Sequence, residues 1–322
     1  MLLSQRFEKM ESRDSVFAIL GLVERDKLAT VADPSLLRVD YTKTLPDVLR
    51  DATRYALCQA EGLEVLSLAE PCSDQTENVG DFPSWAARID LRRGIRDLCL
   101  LPRFYHASSG LDPQPLLADT TYGAEVLLVE GIVVAQVTQA NPIFPDGLLT
   151  FADLHSGLRI AKATAVRHCS PAFREYSIQD CTSLASAITA ATASGLTRAQ
   201  PEDMNMLSSY LAHLDINEDD PVSILPHDIE KLRHINQSVD LHKAVGRQVF
   251  VTSESSIGLG PISMQANDIV VVLRGGVLPF ILRKVSRFYQ LIGPAYVHDI
   301  MDGEAVETSK AKNEPEILFP LR

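Results

Sequence analysis

Residues 247–304 read RQVFVTSESSIGLGPISMQANDIVVVLRGGVLPFILRKVSRFYQLIGPAYVHDIMDGE, a stretch in which Gly-Pro, Gly-Gly and Gly-Pro pairs separate short apolar runs. Glycine and proline are the strongest punctuation in a chain, and apolar runs of this length between them spell a compact antiparallel β unit. The runs fall at 249–251, 269–273, 277–282 and 288–292, with a fifth at 295–300. IVVVL contains no alternating polar residue, so it predicts a strand covered on both faces, as in a closed barrel or beneath other elements. Gly275-Gly276 predicts a two-residue hairpin turn, because both central positions of such a turn need positive φ. Pro279 has no N–H for a ladder and belongs at an edge or a bulge. Gly258-Leu259-Gly260-Pro261 reads as a β turn, since no helix follows it to hold a phosphate at its N-terminus.

Elsewhere the 3.6-residue period predicts helices at 12–20, 44–60, 177–194, 201–214 and 227–243. The second opens with Thr44-Leu45-Pro46-Asp47, an N-cap followed by an early proline and an acid. Residues 70–80 read as a polar surface loop. In AEVLLVEGIVVAQV, Glu130-Gly131 predicts a tight hairpin between 126–129 and 132–137. The expected fold is α+β: a β-rich, barrel-like or sandwich body from the 100–150 and 247–300 strands, carrying those helices. The interleaving predicts one intertwined domain over 1–322, with a helical N-terminal region (1–100), a β region (101–170), a helical middle (171–245), a C-terminal β unit (246–304) and a tail (305–322).

Of the 322 residues, 46% are hydrophobic, enough for a sizeable core. No apolar run approaches the roughly 18 residues of a membrane span, and charges interrupt the N-terminus where a signal peptide needs an apolar centre. A cytoplasmic protein with no membrane partner is expected. A net charge of −12 opposes nucleic-acid binding. Five widely spaced cysteines fit neither a disulfide framework nor a zinc site. Neither His168-Cys169 with Cys181 nor His227 with His234 has metal-site spacing, so no metal is expected.

The order GRQVFVTSESSIGLGP, then DIVVVLRGGVLPFILR, then FYQLIGPAYVHDIMDGEAV resembles the C-terminal region of fungal heterokaryon-incompatibility (HET) proteins. RDSVFAILGL, VDYTKTLPDVLRDATRYAL and FPSWAARIDL near the front are similar to segments that follow the effector domain in that family, and the middle of the chain matches poorly. About a dozen residues precede RDSVFAILGL, where the family's effector domain would stand, and the second tryptophan of the family's PSW motif is absent. The resemblance implies two readings. HET-like chains without the effector domain occur among fungal biosynthetic genes, which implies a stand-alone member recruited to shape a metabolite. Alternatively, the chain is a recognition or regulatory module of self/non-self incompatibility.

No nucleophile elbow, Walker loop, His-Glu-x-x-His or paired Cys-x-x-Cys is present. The enzymatic reading is therefore a cofactor-independent cyclase, pericyclase-like, promoting a Diels–Alder-type cycloaddition of a terpenoid or polyketide. An apolar pocket would fold this small hydrophobic metabolite while a few donors polarise it. Candidate donors are Tyr105, His106, Tyr122, Arg247 and His298. Trp85 either anchors the core or lines a cavity with Tyr105, His106 and Tyr122. In Tyr296-Val297-His298-Asp299-Ile300-Met301-Asp302-Gly303-Glu304, Tyr296 and Asp299 are candidate substrate contacts. Contact of His298 with Asp299 or Asp302 would orient the imidazole as an acid or base, whereas the structural alternative is a turn at Asp302-Gly303 with His298 bonded to backbone.

Overall fold

The computed structural model describes residues 11–20, 36, 38–59, 62–69, 82–88, 105–111, 123–144, 149–166, 178–192, 200–214, 224–239 and 241–322. Strand β1 (Leu127–Pro142) organises the β body. Its residues 127–131 pair with β8 (Ile317–Leu321), 131–136 with β4 (Ile269–Leu273) and 137–142 with β2 (Arg247–Thr252). The order β4, β5 (Phe280–Val285), β6 (Phe288–Pro294), β8, β1 returns to β4, so five strands close a ring. From the far half of β1, strands β2, β3 (Ile257–Pro261) and β7 (Tyr296–Val297) extend as a second sheet. The barrel-like, mixed α+β expectation therefore holds.

The hairpin expected at Glu130-Gly131 does not form, because β1 runs straight through both residues and finds its partners in the distant C-terminal strands. The glycine serves close approach: a Cβ on Gly131 would lie 2.4 Å from the Val272 carbonyl oxygen and 2.9 Å from Leu273 Cα. IVVVL is covered on both faces as expected. Val271 and Leu273 pack with Trp85, Phe280 and Phe319, while Val270 and Val272 pack with Phe250, Ile281 and Val306, and all four valine and leucine side chains are fully buried.

Gly275-Gly276 is not a two-residue turn either. Only Gly275 has positive φ (+76°), and the connection spans 274–279. It is widened by backbone bonds from Leu63 N–H to Gly275 O (2.9 Å) and from Ser108 N–H to Gly276 O (3.2 Å), which stitch two other segments to it. Pro279 lies in this connection just before β5 and accepts from Ala295 N–H. Residues 258–261 belong to the buried strand β3 instead of a turn. Gly258 leaves room there for the Phe250 ring, whose Cζ would sit 2.4 Å from an added Cβ.

Among the described residues the helices are α1 (Asp14–Leu20), α2 (Leu45–Gln59), α3 (Phe151–Val166), α4 (Ile178–Thr192), α5 (Pro201–His213), α6 (Pro226–Ser238) and α7 (Glu304–Lys312). Thr44 and Asp47 cap α2 reciprocally, as its sequence predicts. Helix α3 falls inside the segment 101–170 expected to be β. It is opened by the same kind of box: Thr150 N–H donates to Asp153 (2.8 Å), and Asp153 N–H donates to Thr150 Oγ1 (3.2 Å). Helix α7 and strand β8 occupy what reads as a C-terminal tail. The helix expected over 227–243 ends at Ser238, and the chain resumes as a short 3-10 turn, Leu241–Ala244.

Helices α3 to α6 lie between β1 and β2, which pair with one another, so the helical segment leaves and re-enters the sheet at neighbouring strands. Leu158, Leu184, Leu207 and Leu232, one from each helix, pack in one cluster with Val249 of β2 and Leu259 of β3. Each such fully buried leucine contributes about 1.5–3 kcal/mol. At the C-terminus of α5, Lys162 donates to the Leu214 carbonyl (2.7 Å) and the Ala212 carbonyl (3.3 Å), binding helix-end acceptors with a cation. The predicted loop 70–80 lies outside the described residues, and among those described no helix is long and apolar enough to cross a membrane.

Candidate functional site

Strand β7 is short because the chain leaves the sheet immediately after it. Val297 and Tyr296 pair with Gly258 and Leu259, and His298 N–H donates to Ile257 O (3.0 Å) as the last rung. Asp299 then adopts a left-handed conformation (φ +65°), which aspartate tolerates better than most residues and which turns the backbone. Gly303 (φ +107°) precedes α7, and a Cβ there would meet Ser109 Cβ at 2.9 Å. Residues 105–111 are clamped against this turn by the bond from His106 N–H to Met301 O (2.9 Å) and by Lys310 donating to Gly110 O.

Beside the turn lies a cleft of about 440 Å³. One wall is α7, the floor is Ile132, Val133 and Val134 of β1, and the far side is the β2–β3 turn with Glu254 and Ser256. Among the described residues four carboxylates line it, Glu254, Asp299, Glu304 and Glu314, against one cation, Lys312, whose Nζ is 4.0 Å from Glu314. Glu304 also accepts from Asp302 N–H (2.8 Å), which ties the first turn of α7 to the loop before it.

Of the residues singled out from sequence, Tyr105, Tyr296, His298 and Asp299 form a contiguous chain. The Tyr105 and Tyr296 rings meet edge to face at 6.0 Å, the Tyr296 hydroxyl lies 3.5 Å from His298 Nδ1, and His298 Nε2 lies 3.3 Å from Asp299 Oδ1. Asp299 alone of this group lines the cleft, with its side chain 82% exposed. His106 is exposed beside Tyr105, and Arg247 is buried at the start of β2 opposite Pro261; neither lines the cleft. Trp85 is a core anchor: it is fully buried, its indole N–H donates to Glu125 O (2.9 Å), and the Arg54 guanidinium lies 5.0 Å over its ring. It does not line the cleft. Tyr122 lies outside the described residues.

Among the described residues, no group of three or more His, Cys, Asp or Glu side chains is arranged to hold a metal. His168 and Cys169 lie outside those residues, and Cys181 is buried within α4. A polar pair with no counterpart in any local sequence pattern joins α3 to α5: His155 Nδ1 lies 2.7 Å from the Tyr210 hydroxyl, both side chains being buried. Burial pushes the His155 pKa down, partly opposed by the nearby Asp228 carboxylate, and burial pushes the Tyr210 phenol up. This pair sits within the helical core, so its role is to hold α3 and α5 together. Chemically, the cleft combines an apolar floor with an acidic rim, an arrangement suited to holding a cationic ligand.

Residues 196–314 match a family described as the Het-6 β-barrel domain. Over 72 residues the chain is 35% identical to "Heterokaryon incompatibility protein 6, OR allele" of Neurospora crassa, a match covering 21% of this chain and 11% of that protein. The chain thus aligns with only about a tenth of the relative's length. No solved structure matches it. The matched family region reaches back into the helical middle to include α5 and α6, and runs forward through α7, taking in the Asp299 turn. Strands β1 and β8, which complete the ring, lie outside it.

Proposed function

This chain carries the C-terminal barrel region of the heterokaryon-incompatibility family, and from that premise we propose that it is a non-enzymatic recognition and regulatory module in fungal self/non-self incompatibility. The observation that carries this reading is that the family match contains the whole acidic rim of the cleft, Glu254, Asp299, Glu304 and Glu314. An open cleft rimmed by carboxylates supports this reading, because it offers a charged surface complementary to a basic partner.

The competing reading, a pericyclase-like cyclase acting on a small hydrophobic metabolite, draws its support from the Tyr105–Tyr296–His298–Asp299 chain, which would supply donors. It calls for an enclosed pocket walled by apolar and aromatic side chains. The described core offers less for it: IVVVL is packed on both faces, Trp85 is sealed among core side chains, and the cleft carries acids instead of aromatics. Recognition is accordingly the better-supported function.

Gene disruption in a fungus carrying this chain separates the two. Recognition requires that the outcome of hyphal fusion between tester strains change while the extracted metabolite profile stays the same. A lost or newly accumulated cyclisation precursor, with fusion unaltered, would establish the cyclase instead.

A further inference from the structure

The ladder along one edge of β1 is interrupted beside the cleft. Strand β8 pairs with residues 127–131 and stops at the Gly131–Ile317 pair, while β2 begins at Val137–Thr252, just after the bond from Ser253 N–H to Gln136 O (2.8 Å). Strand β4 holds the opposite edge. The alternation of the backbone fixes which edge is which. Leu128 faces Pro320, which has no N–H to donate, so Leu127, Val129 and Gly131 are the residues that exchange bonds with β8. Glu130 O points the other way, accepting from Arg274 N–H (2.8 Å). By the same alternation Val133 directs its N–H and C=O toward the β8 edge, at a position where β8 has already ended. A register shift between Val133 and Ala135 follows, after which Gln136 meets the β2 side. Among the described residues, no strand pairs with this edge at 132–135.

An interrupted edge is a template for another strand. This one opens into the cleft, whose floor includes half-buried Val133 and Val134, and whose rim holds exposed Glu254, Asp299, Glu304 and Glu314. Four residues at about 3.3 Å each leave roughly 13 Å, room for a short segment between the ends of β8 and β2. Because alternate side chains of an added strand face opposite ways, such a segment would turn apolar side chains to one face of the sheet and cationic ones to the acidic rim on the other.

We propose that the edge of β1 at residues 132–135 docks an extended, basic segment of a partner protein by strand addition, with lysine or arginine side chains paired to the acidic rim. This deepens the recognition reading and rests on it.

The test uses the full chain and short capped peptides of alternating lysine and valine. Saturable binding is expected by fluorescence anisotropy, with amide exchange slowed at Val133. Affinity should fall about tenfold or more when alternate peptide nitrogens are methylated, because strand addition depends on those N–H groups. A comparable fall is expected for Glu254→Lys/Glu314→Lys, with Glu254→Gln/Glu314→Gln as the milder pair should the first disturb folding. A glutamate and valine peptide should not bind. Absence of binding by the lysine peptide, affinity indifferent to N-methylation, or protection located away from 132–135 would overturn the docking mode. None of these outcomes touches the fusion phenotype of the disrupted gene, which judges the recognition reading separately.

Discussion

Asp268 and Arg283 form a two-pronged ion pair across the start of β4 and the middle of β5, Nε to Oδ1 at 2.8 Å and Nη2 to Oδ2 at 2.9 Å. Asp268 is buried, takes a further bond from Gln265 N–H (2.8 Å), and offers its backbone carbonyl to Val137 N–H (2.8 Å), so one residue joins three strands of the body. Arg283 also donates to Ser263 O (2.8 Å).

Arg283→Met should therefore cost about 3 kcal/mol, the lower end for a broken buried pair because the arginine keeps some solvent contact. Guanidinium unfolding would measure it. Adding Asp268→Asn to that variant should cost less than the sum of the two single changes, since the second substitution removes the stranded charge.

Two glycines separate steric from conformational cost. Gly131→Ala drives a Cβ into the Val272 carbonyl and should lose upward of about 3 kcal/mol or fail to fold cooperatively. Gly123→Ala, at φ +77° with open space around it, should lose only about 1 kcal/mol. Equal losses at the two sites would contradict the three-partner placement of β1.

His155 gives the chain an acid-side sensitivity. Its folded pKa lies below the ordinary 6.5 because it is buried. As pH falls below 6.5 the unfolded chain takes up a proton that the folded chain resists, so stability present above 6.5 is lost progressively toward the folded value. His155→Gln, which keeps a partner for the Tyr210 hydroxyl, should flatten the fall in unfolding midpoint between about pH 7.5 and 5.

Trp85→Ala should cost about 3–5 kcal/mol, as expected for emptying a fully buried aromatic site. Because Trp85 is the single tryptophan, its fluorescence reports global unfolding of the other variants. Its emission should not respond to cleft ligands, since it does not line the cleft.

Local signals carried much of this fold. IVVVL, with no alternating polar residue, read as a strand covered on both faces, and Thr44 with Asp47 announced α2. The same logic held a missed clue, since Thr150 and Asp153 cap α3 in the same reciprocal way. What a local reading could not supply was pairing between distant stretches of the chain. Glu130-Gly131 looks like a turn until Val272 and Leu273 come within a Cβ's reach of Gly131. Residues 317–321 contain Pro320 and resemble a tail, yet they complete the ring because that proline faces Leu128 at a rung needing no bond. The candidate site divides similarly. Tyr296, His298 and Asp299 were visible as one segment, whereas the cleft draws Val133, Glu254, Asp299 and Glu314 from separate elements. His155 and Tyr210 meet only because α3 and α5 pack.

The most direct measurement is an allele exchange in which the wild-type gene is replaced by the Glu254→Lys/Glu314→Lys form, followed by parallel scoring of hyphal fusion and metabolites. A module acting through its acidic cleft should lose its effect on fusion compatibility while the protein stays folded and the metabolite profile is unchanged. Unaltered fusion together with a changed cyclised product would contradict the account.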